Sequence, residues 1–209
     1  MRIAFKTVNG HYLTAASGGG IGGANDVPFH TDAATSGPWE QFTLVPVDPA
    51  KNQYALRTAS GNYLTVVNGG GIGGPDDATC PIHADATVAS NDERFYVTGP
   101  LGSQVAIRTY NGNYLTAING GGWTEAANHH PVHTDASAIG PWETLTLVEL
   151  AKDPAACAAW ATSLHALEVE LQQLMQNVPV PPTPSWKATV TGINARIDAL
   201  RTRIELDCT

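Results

Sequence analysis

Three near-copies of one segment fill residues 1–150 of a 209-residue chain. Gly10-His11-Tyr12-Leu13-Thr14-Ala15 opens a stretch that closes on Pro38-Trp39-Glu40-Gln41-Phe42. Gly61-Asn62-Tyr63-Leu64-Thr65-Val66 leads likewise to Asp92-Glu93-Arg94-Phe95, and Gly112-Asn113-Tyr114-Leu115-Thr116-Ala117 to Pro141-Trp142-Glu143-Thr144-Leu145. Tyr12, Tyr63 and Tyr114 are spaced by 51 and 51 residues, and His30, His83 and His133 by 53 and 50. Similarity at a fixed period marks a supersecondary unit that cannot bury its apolar face alone. Three such units imply a closed assembly with pseudo-threefold symmetry, in which any surface site recurs three times.

Within a copy, short segments alternate with period two and are broken by Gly, Asn and Pro, the pattern of antiparallel strands. The first copy predicts strands over Arg2–Val8, Tyr12–Ala16, Phe29–Ala33 and Phe42–Val47. Asn9-Gly10, Ser60-Gly61 and Asn111-Gly112 stand where tight hairpins need positive φ. Four strands taken three times give twelve. That number fits an all-β β-trefoil, a six-stranded barrel capped by three hairpins, with repeats at about 1–50, 51–101 and 102–150.

The motif Gly-Asn-Tyr-Leu-Thr-Ala, then Gly-Gly-Gly, then Gly-Pro-Trp-Glu-x-Phe/Leu-Thr-Leu-Val resembles the fascin-like β-trefoil repeat, over about residues 1–150. The family includes actin-bundling proteins, and bacterial trefoil modules that bind polysaccharides look similar. The resemblance therefore implies the fold and leaves two functions open, because function lives in sites grafted onto folds. The second copy departs from the motif, with Asn91-Asp92-Glu93-Arg94 where the others have Gly-Pro-Trp-Glu.

From Asp153 the texture becomes helical. Asp153-Pro154 reads as an N-cap with proline at the first helical position. Trp160, Leu164, Leu167, Leu171, Leu174 and Val178 follow heptad spacing, residues 178–184 hold a proline-rich break, and Trp186, Val190, Ile193, Ile197, Leu200 and Ile204 repeat the spacing. Residues 153–209 therefore predict an antiparallel coiled-coil hairpin. A single register pairs all six apolar residues and sets Glu168 beside Arg196. Cys157 and Cys208 fall one residue off that register, at the open end, and predict a disulfide. Closing such a loop is worth about 4 kcal/mol in the chain-entropy account. Cys80 is left as the odd thiol. The flanking positions Glu168, Glu170, Gln173, Lys187, Arg196 and Arg203 are polar. The hairpin either packs on the trefoil or pairs with a second copy, and a homodimer is the favoured expectation.

No nucleophile elbow, phosphate loop, HExxH or metal-binding cysteine pair is present, so no enzymatic activity and no cofactor or metal is expected. The paired carboxylates Asp76-Asp77 and Asp92-Glu93 are the weak signals for glycoside hydrolysis. The recurrent polar residues carry more. His30 and Asp32, His83 and Asp85, and His133 and Asp135 each sit two apart on a strand, so both face away from Phe29, Ile82 and Val132. Carboxylates accept sugar hydroxyl bonds and aromatic faces stack on sugar C–H groups. Trp39-Glu40 and Trp142-Glu143, with Glu93 in the second copy, form the other sugar-type pairs. The glycine runs Gly18–Gly23, Gly69–Gly74 and Gly120–Gly122 lack the strand-then-helix setting of a nucleotide loop, and read as hairpin loops open to a ligand. Trp123 replaces Ile21 and Ile72 in the third run and is expected to strengthen the third site. Converging histidines would hold an axial metal only if the strands faced the opposite way.

Residues 1–150 carry six basic and thirteen acidic side chains, a net −7 of the chain's −8. Such a domain repels phosphate, so neither nucleic acid nor an anionic membrane is an expected partner, and with no apolar run of membrane-spanning length no membrane insertion is expected. An acidic domain also disfavours the acidic actin filament, which leaves glycans or polysaccharide as the expected partner, with actin cross-linking as the alternative. Met1-Arg2-Ile3-Ala4-Phe5-Lys6 reads directly as a strand, with no leader. With a disulfide, the expectation is a secreted or extracellular protein whose leader is missing from this chain, the cytoplasm being the lesser alternative.

Overall fold

The computed structural model describes residues 1–22, 27–73, 80–100, 102–124, 130–151, 154–179 and 181–208. The chain divides into two units, Met1–Leu150 and Ala151–Thr209.

Among the described residues the first unit holds twelve antiparallel strands: β1 (Arg2–Lys6), β2 (Tyr12–Ala15), β3 (Phe29–Ala33), β4 (Phe42–Asp48), β5 (Gln53–Arg57), β6 (Tyr63–Val66), β7 (Ile82–Ala86), β8 (Arg94–Thr98), β9 (Gln104–Arg108), β10 (Tyr114–Ala117), β11 (Val132–Ala136) and β12 (Leu145–Glu149). β1 pairs with β4, β4 with β5, β5 with β8, β8 with β9, β9 with β12, and β12 with β1, a ring without a free edge. The remaining six form the pairs β2–β3, β6–β7 and β10–β11, attached through β1, β5 and β9. Each of these three pairs carries the same register irregularity, between Tyr12 and Thr14, Tyr63 and Thr65, and Tyr114 and Thr116. Gly10, Gly61 and Gly112 close the preceding turns at φ of 85°, 93° and 93°.

Period-two alternation explains the core. Ile3, Phe5, Phe42, Leu56, Phe95, Ile107, Leu145 and Leu147 point inward from the ring, and Leu13, Leu64 and Leu115 from the hairpins, all at most 2 % exposed. Phe42 packs between Phe5 and Phe29, with ring centroids 6.2 and 5.9 Å away. Cys80 is buried and free, and its thiol meets the Ile82 carbonyl at 3.1 Å. Burial pushes that thiol's pKa up.

In the second unit, α1 (Pro154–Gln176) and α2 (Pro184–Cys208) both begin on proline. The expected cap Asp153 lies outside the described residues. For α2, Thr183 accepts the Trp186 N–H at 3.2 Å, an N-cap the sequence reading did not identify. Leu167, Ile193 and Ile197 are buried between the helices, with Leu164, Leu171, Leu174 and Leu200 packed around them. Cys157 and Cys208 are disulfide-bonded.

One expected pair is not formed. Glu168 meets Arg201 at 2.7 Å rather than Arg196. Glu168 and Arg196 lie on opposite flanks of the apolar seam. Arg196 lines a groove with Ser163, Ala166 and Glu170 on one flank, and the long Arg201 stem reaches Glu168 on the other.

Candidate functional site

The histidine–aspartate strands face as their periodicity requires. Phe29 and Thr31 are buried, His30 is half-buried and Asp32 exposed, and β7 and β11 repeat the pattern at His83–Asp85 and His133–Asp135. His30 Nδ1 lies 3.9 Å from Asp32 Oδ1 with both side chains open to solvent, so their attraction is weak and Asp32 keeps acceptor capacity. An axial metal would need the opposite facing.

What borders these pairs was not visible in the sequence. The glycine run of each copy is laid along the histidine–aspartate strand of the next. Gly20 donates to the Ala84 carbonyl at 2.6 Å, and Ala84 donates back to Ile21 at 3.0 Å. Gly71 and Ile72 bracket Thr134 at 2.7 and 2.8 Å, and Gly122 and Trp123 bracket Thr31 at 2.7 and 2.9 Å. A Cβ on Gly22 would stand 3.0 Å from Asp85 Oδ2, and one on Gly73 would collide with the Asp135 carboxylate. Glycine therefore gives these carboxylates their room.

The crossing corrects one expectation. The Trp123 loop pairs with Thr31, so it borders the histidine–aspartate strand of the first copy and not that of the third. His11 is also near this loop, its Cε1 3.4 Å from where a Gly122 Cβ would stand. In the other copies asparagine holds the position of His11: Asn62 Nδ2 donates to the Asp85 carbonyl at 2.9 Å and Asn113 Nδ2 to that of Asp135 at 3.2 Å. The sequence signal for these residues was the Gly-Asn-Tyr motif and its His11 variant, which the strand reading passed over.

The tryptophan–glutamate pairs come apart. Trp39 and Trp142 are 50 % and 43 % exposed, but Glu40, Glu93 and Glu143 are buried, at 7 %, 5 % and 8 %. Glu40 accepts the Gly37 N–H at 2.7 Å. Glu143 accepts the Gly140 N–H at 2.8 Å and the Thr116 hydroxyl at 2.7 Å. Glu93 accepts from Ser90 N–H at 2.6 Å and Thr65 at 2.8 Å. These carboxylates hold turns together and are not presented to a ligand. That explains why glutamate persists in the second copy where tryptophan is lost.

Glu143→Ala would strand two donors away from water, at about 1–3 kcal/mol for each unpaired group. We expect it to lower urea-unfolding stability by about 3 kcal/mol, and Glu143→Gln by less. A loss under about 1 kcal/mol would mean that water replaces the carboxylate.

Asp76 and Asp77 lie outside the described residues. Among the described residues no three His, Cys, Asp or Glu side chains gather as a metal site.

No protein-family model matches the chain, and no curated protein matches it in sequence. Solved structures do resemble it. A designed threefold-symmetric protein, ThreeFoil, superposes with a TM-score of 0.57 at 16 % identity, over 71 % of this chain and 99 % of that one. An exo-β-1,3-galactanase from Clostridium thermocellum gives 0.55 at 14 % identity, over 71 % of this chain and 30 % of the other. A mosquitocidal holotoxin gives 0.53 at 13 %, over 73 % of this chain. The chain spans only 17 % of that toxin's length. At these identities the likeness shows one thing, a β-trefoil-like fold.

Proposed function

We propose that this protein is a multivalent carbohydrate-binding protein, a lectin, built on a β-trefoil of three four-stranded repeats with up to three equivalent sugar sites. One observation carries the reading: Asp32, Asp85 and Asp135 are exposed on equivalent strands, each bordered by the glycine run of the preceding copy. An exposed carboxylate beside a glycine-lined edge can accept two hydroxyl hydrogen bonds from one sugar. Likeness to part of a galactanase supports a glycan ligand, and β-glucans or other neutral glucose- or galactose-rich glycans suit a domain of net −7. Single sugar sites are weak, and linking several raises avidity by 10²–10⁴. The hairpin, read as a coiled coil, would double the sites by forming a homodimer. The disulfide supports an extracellular setting, and among the described residues no helix is long and apolar enough to cross a membrane.

A glycan array with a polysaccharide pull-down tests the reading. A hit competed away by free sugar, and lost in Asp32→Ala/Asp85→Ala/Asp135→Ala, is the expected result. Silence across the array together with salt-sensitive cosedimentation with actin filaments would replace the lectin by a filament binder.

A further inference from the structure

Trp39 and Trp142 hold the same position in the first and third copies, and Asp92 holds it in the second. The backbone places them alike: the Trp142 carbonyl accepts the Ala117 N–H at 2.9 Å, and the Asp92 carbonyl accepts that of Val66 at 2.8 Å. Each stands near its copy's glycine turn, and that turn is hydrogen-bonded to the hairpin turn of the next copy. Ser60 donates to Gly18 at 2.9 Å, Asn111 to Gly69 at 3.0 Å, and Asn9 to Gly120 at 3.1 Å. A Cβ on Gly18 would lie 3.4 Å from Trp39 Cδ1 and 3.5 Å from the Ala59 methyl, so two copies flank one glycine.

The residue matching Ala59 is Tyr110 at the second junction and Val8 at the third. Trp39 is thus combined with Ala59, Trp142 with Val8, and Asp92 with Tyr110. Tyr110 is 46 % exposed, between Trp39 at 50 % and Trp142 at 43 %. Every junction carries one large, half-exposed aromatic, and in the second it comes from the opposite copy. Beside each stands an exposed polar side chain held at positive φ: Ser17 at 55°, Asn68 at 54° and Asn119 at 52°.

The geometry points to the three junctions as sugar-stacking positions, with Tyr110 supplying the aromatic of the second. This rests on the lectin reading and adds a second set of contacts to it. The negative face of an aromatic ring attracts the polarised C–H groups of a pyranose, the turn's polar side chain meets its hydroxyls, and the domain's net −7 selects a neutral sugar.

Native affinity electrophoresis in gels containing laminarin, a β-1,3-glucan, or a β-1,3-galactan tests this. Tyr110→Ala should weaken retardation about tenfold through lost avidity, and Trp39→Ala/Tyr110→Ala/Trp142→Ala should abolish it while circular dichroism at the assay temperature still shows the folded sheet, the three side chains being about half exposed and outside the core. Tyr110→Ala/Asp92→Trp should recover the retardation, since the aromatic is then supplied from the other side. Normal retardation of Tyr110→Ala, or failure of Asp92→Trp to restore it, overturns the junction assignment and leaves the lectin reading standing. A wild type that moves freely in both gels overturns both.

Discussion

Gly70→Ala is expected to cost the first unit about 3–5 kcal/mol, a large part of the 5–15 kcal/mol that holds an ordinary domain folded. Gly70 sits at φ 111°, ψ 177°, a region essentially closed to residues with a Cβ and worth about 1–3 kcal/mol of strain. A Cβ there would also lie 2.5 Å from Thr109 Oγ1 and 3.0 Å from its Cβ. Thr109 is fully buried, so it cannot retreat, and overpacking adds about 1–3 kcal/mol. Gly19 against Thr58 and Gly121 against Thr7 repeat the arrangement, and the same substitution should be as damaging there. Gly112 is the control: its φ is 93°, but nothing lies within 4 Å of its missing Cβ. Urea unfolding of the four variants checks this. If Gly112→Ala costs as much as Gly70→Ala, close approach between copies is not what these glycines provide.

Reduction of Cys157–Cys208, or Cys208→Ser, is expected to unfold the helical unit and leave the trefoil melting as before. The bridge spans 51 residues, and closing a loop of that size is worth about 4 kcal/mol. Little else opposes unfolding: among the described residues Leu167, Ile193 and Ile197 are the buried ones in the seam, and isolated helices are marginal in water. The exposed Glu168–Arg201 pair adds under about 1 kcal/mol. Far-UV circular dichroism should lose its helical component on reduction while the unfolding transition of the sheet stays in place. A helical signal that survives reduction would mean that packing, and not the bridge, holds the hairpin.

The twelve strands were legible because each copy writes period-two alternation between glycine punctuation, and Phe29, Ile82 and Val132 fixed which face is inward. The disulfide was legible because the heptad register brings Cys157 and Cys208 to the same end. What the sequence could not show were relations between copies. Trp123 lies about ten residues before His133, and nothing in the linear order says that it pairs across to Thr31. Glu40 and Glu143 looked like ligand groups because they adjoin exposed tryptophans. Whether a carboxylate caps a turn or meets solvent depends on the Gly37 and Gly140 amides that face it. The flank error at Arg196 has a similar cause, since a register pairs positions along a seam but does not say which side of it a neighbour occupies.

The first strand lies against the last, Ile3 opposite Glu149, with the Leu150 amide donating to the Arg2 carbonyl at 3.0 Å. A ring closed this way has no first repeat. Its three copies meet at boundaries that belong equally to both neighbours, so what the surface offers is set by the boundary rather than by the copy. Where one side of a boundary offers no aromatic, as at Asp92, the other side offers one, as at Tyr110. Sequence alignment of the copies would score that exchange as two defects, whereas around the circle it leaves the surface whole.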